Sequence, residues 1–432
     1  MTALAPIRTK AETALLAQFE ALRRELPADA AALATREAAM AAFAANGLPH
    51  RRIEAYHYTD LRNLLREAAP RAPEPSVKAG ESVEAGRFMG DLEAHEIILV
   101  NGRLMSRSGH ASKLPFGVSL ATTPDTAPAI LDRGDAVIAL NTALARETVT
   151  LSIDKGVAVE RPLHIVFVQD AAAPQAVFAR LRVELREGAS VTLLETHEGP
   201  KSVATQSNTG VEIAVAGGAR LEHVRVNAEG DTALSLSSLG LSLGRSATAL
   251  SLNLVMGGAI VRHQIFARFE GEDAKLTLAG VAMLDGARHA DTTLVVDHAV
   301  PGGQSRELFK TVVDDRAAGV FQGKIIVRPH AQKTDGKMMS AALLLSDEAS
   351  MSNKPELEIF ADDVQCGHGA TCGALDRNLL FYLMSRGIPR QEAQALLIRS
   401  FLGEAIEEVS HSALREALGG LVDQWLGRRR AQ

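Results

Sequence analysis

Four short stretches of this 432-residue chain echo one another at nearly even spacing. "EGASVTL" (187–193), "GGARLEHV" (217–224), "GRSATALSL" (244–252) and "GEDAKLTL" (271–278) each set a glycine-bearing turn and an alanine ahead of a strand-like run. Ala189, Ala219, Ala247 and Ala274 are separated by 30, 28 and 27 residues. A unit of roughly 20–50 residues recurring with β texture points to stacked supersecondary units, as in a solenoid or propeller. Hairpin sandwiches also place turns at short intervals. The longer recurrence favours a β-helix-like stack.

The texture around the repeat agrees. Between about 95 and 365, "EIILVNGRL", "LHIVFVQ", "ARLRVELREGASVTLLET", "ALSLSSLGLSLG" and "GKIIVRP" alternate apolar with polar residues, the period of a half-buried strand. Both flanks read as helix. Over 10–68, Leu15, Leu16, Phe19 and Leu22 recur at helical spacing in an alanine-rich segment. "NGLPH" (46–50) stops that run, and Thr59 or Asp60 can cap a further short helix. After 374, Leu375, Leu379, Leu380 and Leu383 share a helical face, Gly387 is placed to cap, and Pro389 opens the next helix. Trp425, the sole tryptophan, reads as a packing anchor. The expected organisation is a helical region over 1–70, a proline-rich boundary over 71–94, a strand core over 95–373 and a helical region over 374–432.

Charge narrows the function. A net charge of −6 leaves no electrostatic footprint for nucleic acid or an anionic membrane, and the Arg428–Arg430 tail reads as a solvated helix end. Two cysteines make no disulfide framework, no apolar run approaches the ~20 residues that span a bilayer, and the first residues lack a secretory h-region. A cytoplasmic protein is expected.

Both cysteines fall in "ADDVQCGHGATCG" (361–373). If this stretch is extended, Asp362, Val364, Cys366 and His368 point to one face. Cys366 and His368 then sit side by side, and Gly367 and Gly369 leave the surface bare for another backbone. Structural zinc wants four Cys/His ligands, and an iron–sulfur cluster four ligands, mostly thiolates. One C-x-H supplies neither. The choice is between no metal and a metal shared with a second polypeptide. A Cys/His nucleophile competes, although parallel side chains and no orienting acid make it awkward; a buried cysteine beside a satisfied histidine is the plainest alternative.

Elsewhere the chemistry is thinner. "GVFQGK" (319–324) has the wrong spacing for a phosphate loop, and Ile325 stands where Ser or Thr should hold magnesium. "RPHAQKTDGK" (328–337) reads as a solvated turn, and His197, His223, His263, His289 and His298 as surface or satisfied core residues.

The residues over 319–389 carry a resemblance. "F-x-G-x-I", "A-Q-K-T-D", "L-L-L-S", "P-x-L-E-I-x-A-D-D-V-x-C-x-H-G-A-T-x-G" and "L-F-Y-L-x-S-R-G-I" follow in order, and "YHYTDLRNL" (56–64) precedes them. This resembles the SufD branch of the SufB/SufD family of iron–sulfur cluster assembly proteins. The SufB branch carries a glutamate-bearing "E-H-E-A-T" where this chain has "C-G-H-G-A-T". Tyr56 stands where the family often has tryptophan and reads as packing; Cys372 stands where it has an aliphatic residue and reads as a small buried core residue with no inherited role.

The resemblance implies a right-handed parallel β-helix between helical N- and C-terminal regions. It implies a non-enzymatic scaffold that pairs with SufB through the β-helix end and docks the SufC ATPase on its C-terminal helices, with a homodimer possible when alone. It also implies no permanently bound cofactor, with a transient iron–sulfur cluster shared with SufB and ATP entering only through SufC. Cys366 and His368 match positions at the SufB interface, the histidine as ligand or helper. The rival class is an enzyme, either a β-helix carbohydrate-active enzyme or a Cys-dependent hydrolase.

Overall fold

Ala189, Ala219, Ala247 and Ala274 stack at one corner of the molecule, all fully buried. Each hands a backbone hydrogen bond to the next turn. The N–H of Arg220 donates to the Ala189 carbonyl (2.8 Å), Thr248 to Ala219 (3.0 Å), Lys275 to Ala247 (2.8 Å) and Gln304 to Ala274 (2.9 Å). The residue before each alanine is left-handed: Gly188 at φ 69°, Gly218 at 65°, Ser246 at 53° and Asp273 at 59°. A sharp corner needs a positive φ, which glycine adopts freely and a short polar residue tolerates. The repeated motif is thus the corner of a coil.

A computed structural model describes residues 8–26, 29–75, 89, 92–105 and 114–431. Successive strands alternate between a ten-stranded and a nine-stranded sheet, and each pairs with the strand one turn away. The pairing along the stack is parallel, with antiparallel exceptions at its start, where Val118–Thr123 meets Thr148–Ile153 and Leu99 meets Leu104. The result is a parallel β-solenoid of about 8 turns with helices at both ends of the chain. Residues of one side-chain column fill the interior in register. Leu181, Val211, Leu239, Ile265 and Leu294 lie over one another, all buried in the main apolar core. Stacked identical spacings let every inner side chain contact a neighbour above and below, which keeps packing dense along the axis.

The N-terminal helices, Lys10–Glu25 and Ala30–Asn46, are capped by Thr9 and Asp29, and the second stops at Gly47, whose φ is 70°. Beyond it the run stops as the 46–50 stretch implied: a 3₁₀ turn at Glu54–Tyr56 follows, and then the expected short helix, Leu61–Leu64, capped by Asp60. Thr59 turns inward instead, its hydroxyl donating to Asp291 and lying 2.8 Å from the His289 ring. Tyr56 is buried and packs as expected, its hydroxyl donating to Asp135 (2.7 Å) and its ring lying under the Arg262 guanidinium. Most of the boundary over 71–94 lies outside the described residues.

Helices Arg377–Ser385, Arg390–Ile406 and Ser412–Ala431 follow the last strand. Ile398, Leu402, Leu418, Val422 and Trp425 cover the outer faces of Leu194, Val224, Leu252 and Leu254. Trp425 anchors this contact and donates its indole N–H to Asp285 (3.1 Å). Arg429, in the basic tail, pairs with Asp314. Of the leucines expected on one face near 380, Leu380 is buried but Leu379 is exposed. Among the described residues no helix is long and apolar enough to cross a membrane.

Candidate functional site

The solenoid interior is largely apolar, and it encloses a group of buried polar residues in mid-stack. In mid-stack, Glu195 is enclosed with His197 (3.2 Å) and His223 (2.9 Å) on its two oxygens. Burial alone would raise the Glu195 carboxyl, but those two imidazoles hold it well below the usual carboxylate range. The other His223 nitrogen meets Ser251 (2.9 Å), His263 meets Ser237 (2.7 Å), and Arg225 donates to Asn253 (2.9 Å). His197, His223, His263 and His298 are all buried core residues, and burial pushes His298 down to about 4. His289 lies at the outer surface side of its strand, on Thr59.

One column of this interior reads, turn by turn, His223, Ser251, Leu278, Glu307, Met338, His368. Glu307 was not singled out by its sequence context, and nothing local marks it. It is buried, with neither carboxylate oxygen hydrogen-bonded among the described residues. Burial pushes its carboxyl up to about 8, against smaller opposing pulls from Ser305 and Arg306.

The column ends on the strand Gln365–Gly373, which pairs with Asp335–Leu344 and stands at the edge of its sheet. In the other sheet Ser350–Ile359 holds the same terminal place. Every interior turn has a neighbour on both sides, whereas this one has a neighbour on one side, so its side chains are exposed or half-buried along its length.

Cys366 and His368 lie on this rung, facing the same way, opposite Gly336 and Met338 in register. Two residues along a strand separates them by about 6.6 Å at the backbone. Val364 and Cys366 pack against the apolar core, and Cys366 is half-buried, while His368 is exposed and makes no side-chain hydrogen bond among the described residues. Burial pushes the Cys366 thiol up; the Gly336 backbone N–H pulls the other way, and Asp335 and Glu307 add to the rise. A nucleophilic cysteine needs its thiolate favoured, and here it is disfavoured. At Gly367 a methyl would meet nothing within 4 Å, so the surface beside the pair is bare. Gly369 differs: a methyl there would stand 2.9 Å from the Met339 sulfur.

The two acids ahead of the pair do not join it. Asp363 is tied to Lys333, and its N–H donates to Gln332 (2.9 Å). Cys372 does not occupy the buried position expected of it; it is exposed. Ala342, its neighbour in register, is buried, whereas among the described residues no further strand pairs beyond Cys372. Among the described residues no three His, Cys, Asp or Glu side chains are grouped as a metal would need. "GVFQGK" lies within the strand Ala318–Val327, and "RPHAQKTDGK" forms the turn after it and the first residues of the strand Asp335–Leu344, with Arg328 on Asp297 and Lys333 at φ 62°.

These features define the class: a parallel β-solenoid with helices on both flanks and a thiol–imidazole pair on its uncovered rung. Comparison with known proteins identifies the family. Residues 167–401 match the model for the SUF system FeS cluster assembly SufBD core domain, and residues 9–165 that for the SufBD protein N-terminal region. The chain is 30% identical to the iron–sulfur cluster assembly protein SufD of Escherichia coli over 88% of its own length and 90% of that protein. It is 27% identical to a SufBD family protein of Synechocystis over 86% of both chains, and 27% identical to SufD of Bacillus subtilis over 66% of both. The chain belongs to the SufB/SufD family, on the SufD side, and its role lies in iron–sulfur cluster assembly by the Suf system.

Proposed function

We propose that this chain is a non-catalytic, cytoplasmic scaffold subunit that pairs with SufB through the open end of its solenoid, docks the SufC ATPase on its C-terminal helices, and lends Cys366 and His368 to a nascent cluster completed by SufB. One observation carries the reading: the thiol and imidazole stand on the last rung, beside a bare glycine, with too few donors around them among the described residues to hold iron and sulfide. An edge strand with unpaired backbone groups is a ready template for another chain. The pair is a soft and a borderline donor, suited to iron in a shared site. His368 would bind as neutral imidazole and Cys366 as thiolate, so loading weakens as pH falls. The cluster is cargo, held transiently, and ATP acts only through SufC.

The SufC part of the proposal is supported by Leu379, Phe381, Tyr382 and Met384, which project from the helix Arg377–Ser385 into solvent, Phe381 at 74% exposure. An apolar patch of this kind marks a surface made to be covered. The raised Cys366 thiol counts against the Cys-dependent hydrolase.

Alkylation of Cys366 by iodoacetamide, followed by mass spectrometry with and without purified SufB, tests the proposal. Protection of Cys366 in the complex, and slow labelling of the isolated chain with a pH profile displaced upward from an ordinary thiol, are expected. Equal labelling in both states would place the partner elsewhere.

A further inference from the structure

Residues 49–62 form a loop closed at its base by the Arg62 N–H donating to the Pro49 carbonyl (3.1 Å). Compact loops with their ends held together are frequent sites of function. This one lies along the outer face of the nine-stranded sheet. Its carbonyl at Ala55 accepts from Arg262 (2.7 Å) and Gln322 (3.1 Å), on strands two turns apart. Its Glu54 pairs with Lys354, on the last rung of that sheet. Tyr56 and Thr59 point inward and are buried. Behind them Asp291 receives both Arg262 and Thr59 in a fully buried ion pair. A buried pair contributes little net stability and fixes geometry instead.

What the anchored loop presents is the reverse of its buried side. Arg51, Arg52, Ile53, His57 and Tyr58 are all exposed, Ile53 at 40% and Tyr58 at 37%. Neither Arg51 nor Arg52 has a carboxylate partner among the described residues. A cationic tip with two apolar side chains is therefore held on the outer face of the nine-stranded sheet, and through Glu54 it reaches Lys354 on the last strand of that sheet. Rigid presentation removes the ordering cost that a flexible loop would incur on binding.

We infer that the tip of the 49–62 loop is part of the surface that receives the chain seated on the open rung, and that it meets an acidic patch around an apolar spot on that chain. This rests on the pairing proposed above; the loop adds a second, side-on contact to the end-on one. The alternative occupant is a second copy of this chain.

The test uses full-length chain and purified SufB, with affinity measured by calorimetry at two salt concentrations. Arg51→Glu/Arg52→Glu, Ile53→Asp and, as a control on the last rung, Ile359→Asp are compared with the parent after circular dichroism and melting confirm the fold. The charge reversal is expected to weaken binding at least tenfold and flatten its salt dependence, with Ile53→Asp weakening it at parental salt dependence. Binding within twofold of the parent for both loop variants, with Ile359→Asp inactive, overturns the loop contact and leaves the open-rung pairing standing. Unchanged binding by Ile359→Asp as well sinks the pairing itself. Loop variants that alter only self-association of the isolated chain in sedimentation assign the tip to a second copy and also overturn the inference.

Discussion

His223 and His368 occupy the same interior column of one solenoid, yet one is sealed and the other stands in solvent. His223 is enclosed between Glu195 and Ser251 because a turn lies on each side of it. His368 has Met338 below and, among the described residues, no strand above. Nothing in the residue type separates a core histidine from an available ligand here. The number of neighbouring turns decides. A coil that is self-complementary along its axis makes its last turn a binding surface simply by stopping.

The sharpest way to break this comparison is to cut mid-stack polar residues against end-of-stack ones. Glu195→Ala leaves two buried imidazoles without their carboxylate, and removing one partner of a buried pair typically costs about 3–5 kcal/mol. We expect a large fall in melting temperature, or loss of soluble protein; a shift of under one degree would show that the interior is not sealed as described.

Glu307 gives the next largest effect, and it depends on pH. Its folded carboxyl sits at about 8 against an ordinary value of 4.5. Well below 4.5 both folded and unfolded states hold the proton, and the group adds no pH dependence to stability. From there to about 8 the unfolded chain releases it while the folded chain does not, so stability falls as pH rises, by about 1.4 kcal/mol per unit. The accumulated loss is on the order of 4 kcal/mol at pH 8. Glu307→Gln should flatten urea midpoints measured between pH 5 and 8. Parallel profiles for parent and variant would mean the carboxyl is hydrated rather than dry.

His368→Ala is the smallest in stability and the most telling beside Glu195→Ala. An exposed side chain without hydrogen bonds should cost less than about 0.5 kcal/mol. Melting within a degree or two of the parent, together with impaired cluster formation in cells, is the expected pair of results; loss of soluble protein would return His368 to the buried class.

Much of this was readable before any coordinates. The spaced alanines became stacked corners, because a tight corner admits little beyond a methyl and a left-handed residue ahead of it, and both leave a mark in sequence. Alternation along 362–368 put Cys366 and His368 on one face. Other features left no local mark. The burial of Glu307, and the meeting of Glu195 with a histidine 28 residues away, depend on register between turns. Cys372 read as core because it stands where the family has an aliphatic residue; its place on an edge strand exposes it. The inward turn of Thr59 and the reach of Glu54 to Lys354 are long-range contacts that helical periodicity over 10–68 concealed.

The most direct measurement is anaerobic reconstitution with ferrous iron and sulfide, on the isolated chain and on its complex with SufB, counting iron and sulfide per chain after gel filtration. The account predicts iron and sulfide loaded on the complex and lost with His368→Ala, and none retained by the isolated monomer. A stoichiometric cluster surviving on the monomer would contradict it.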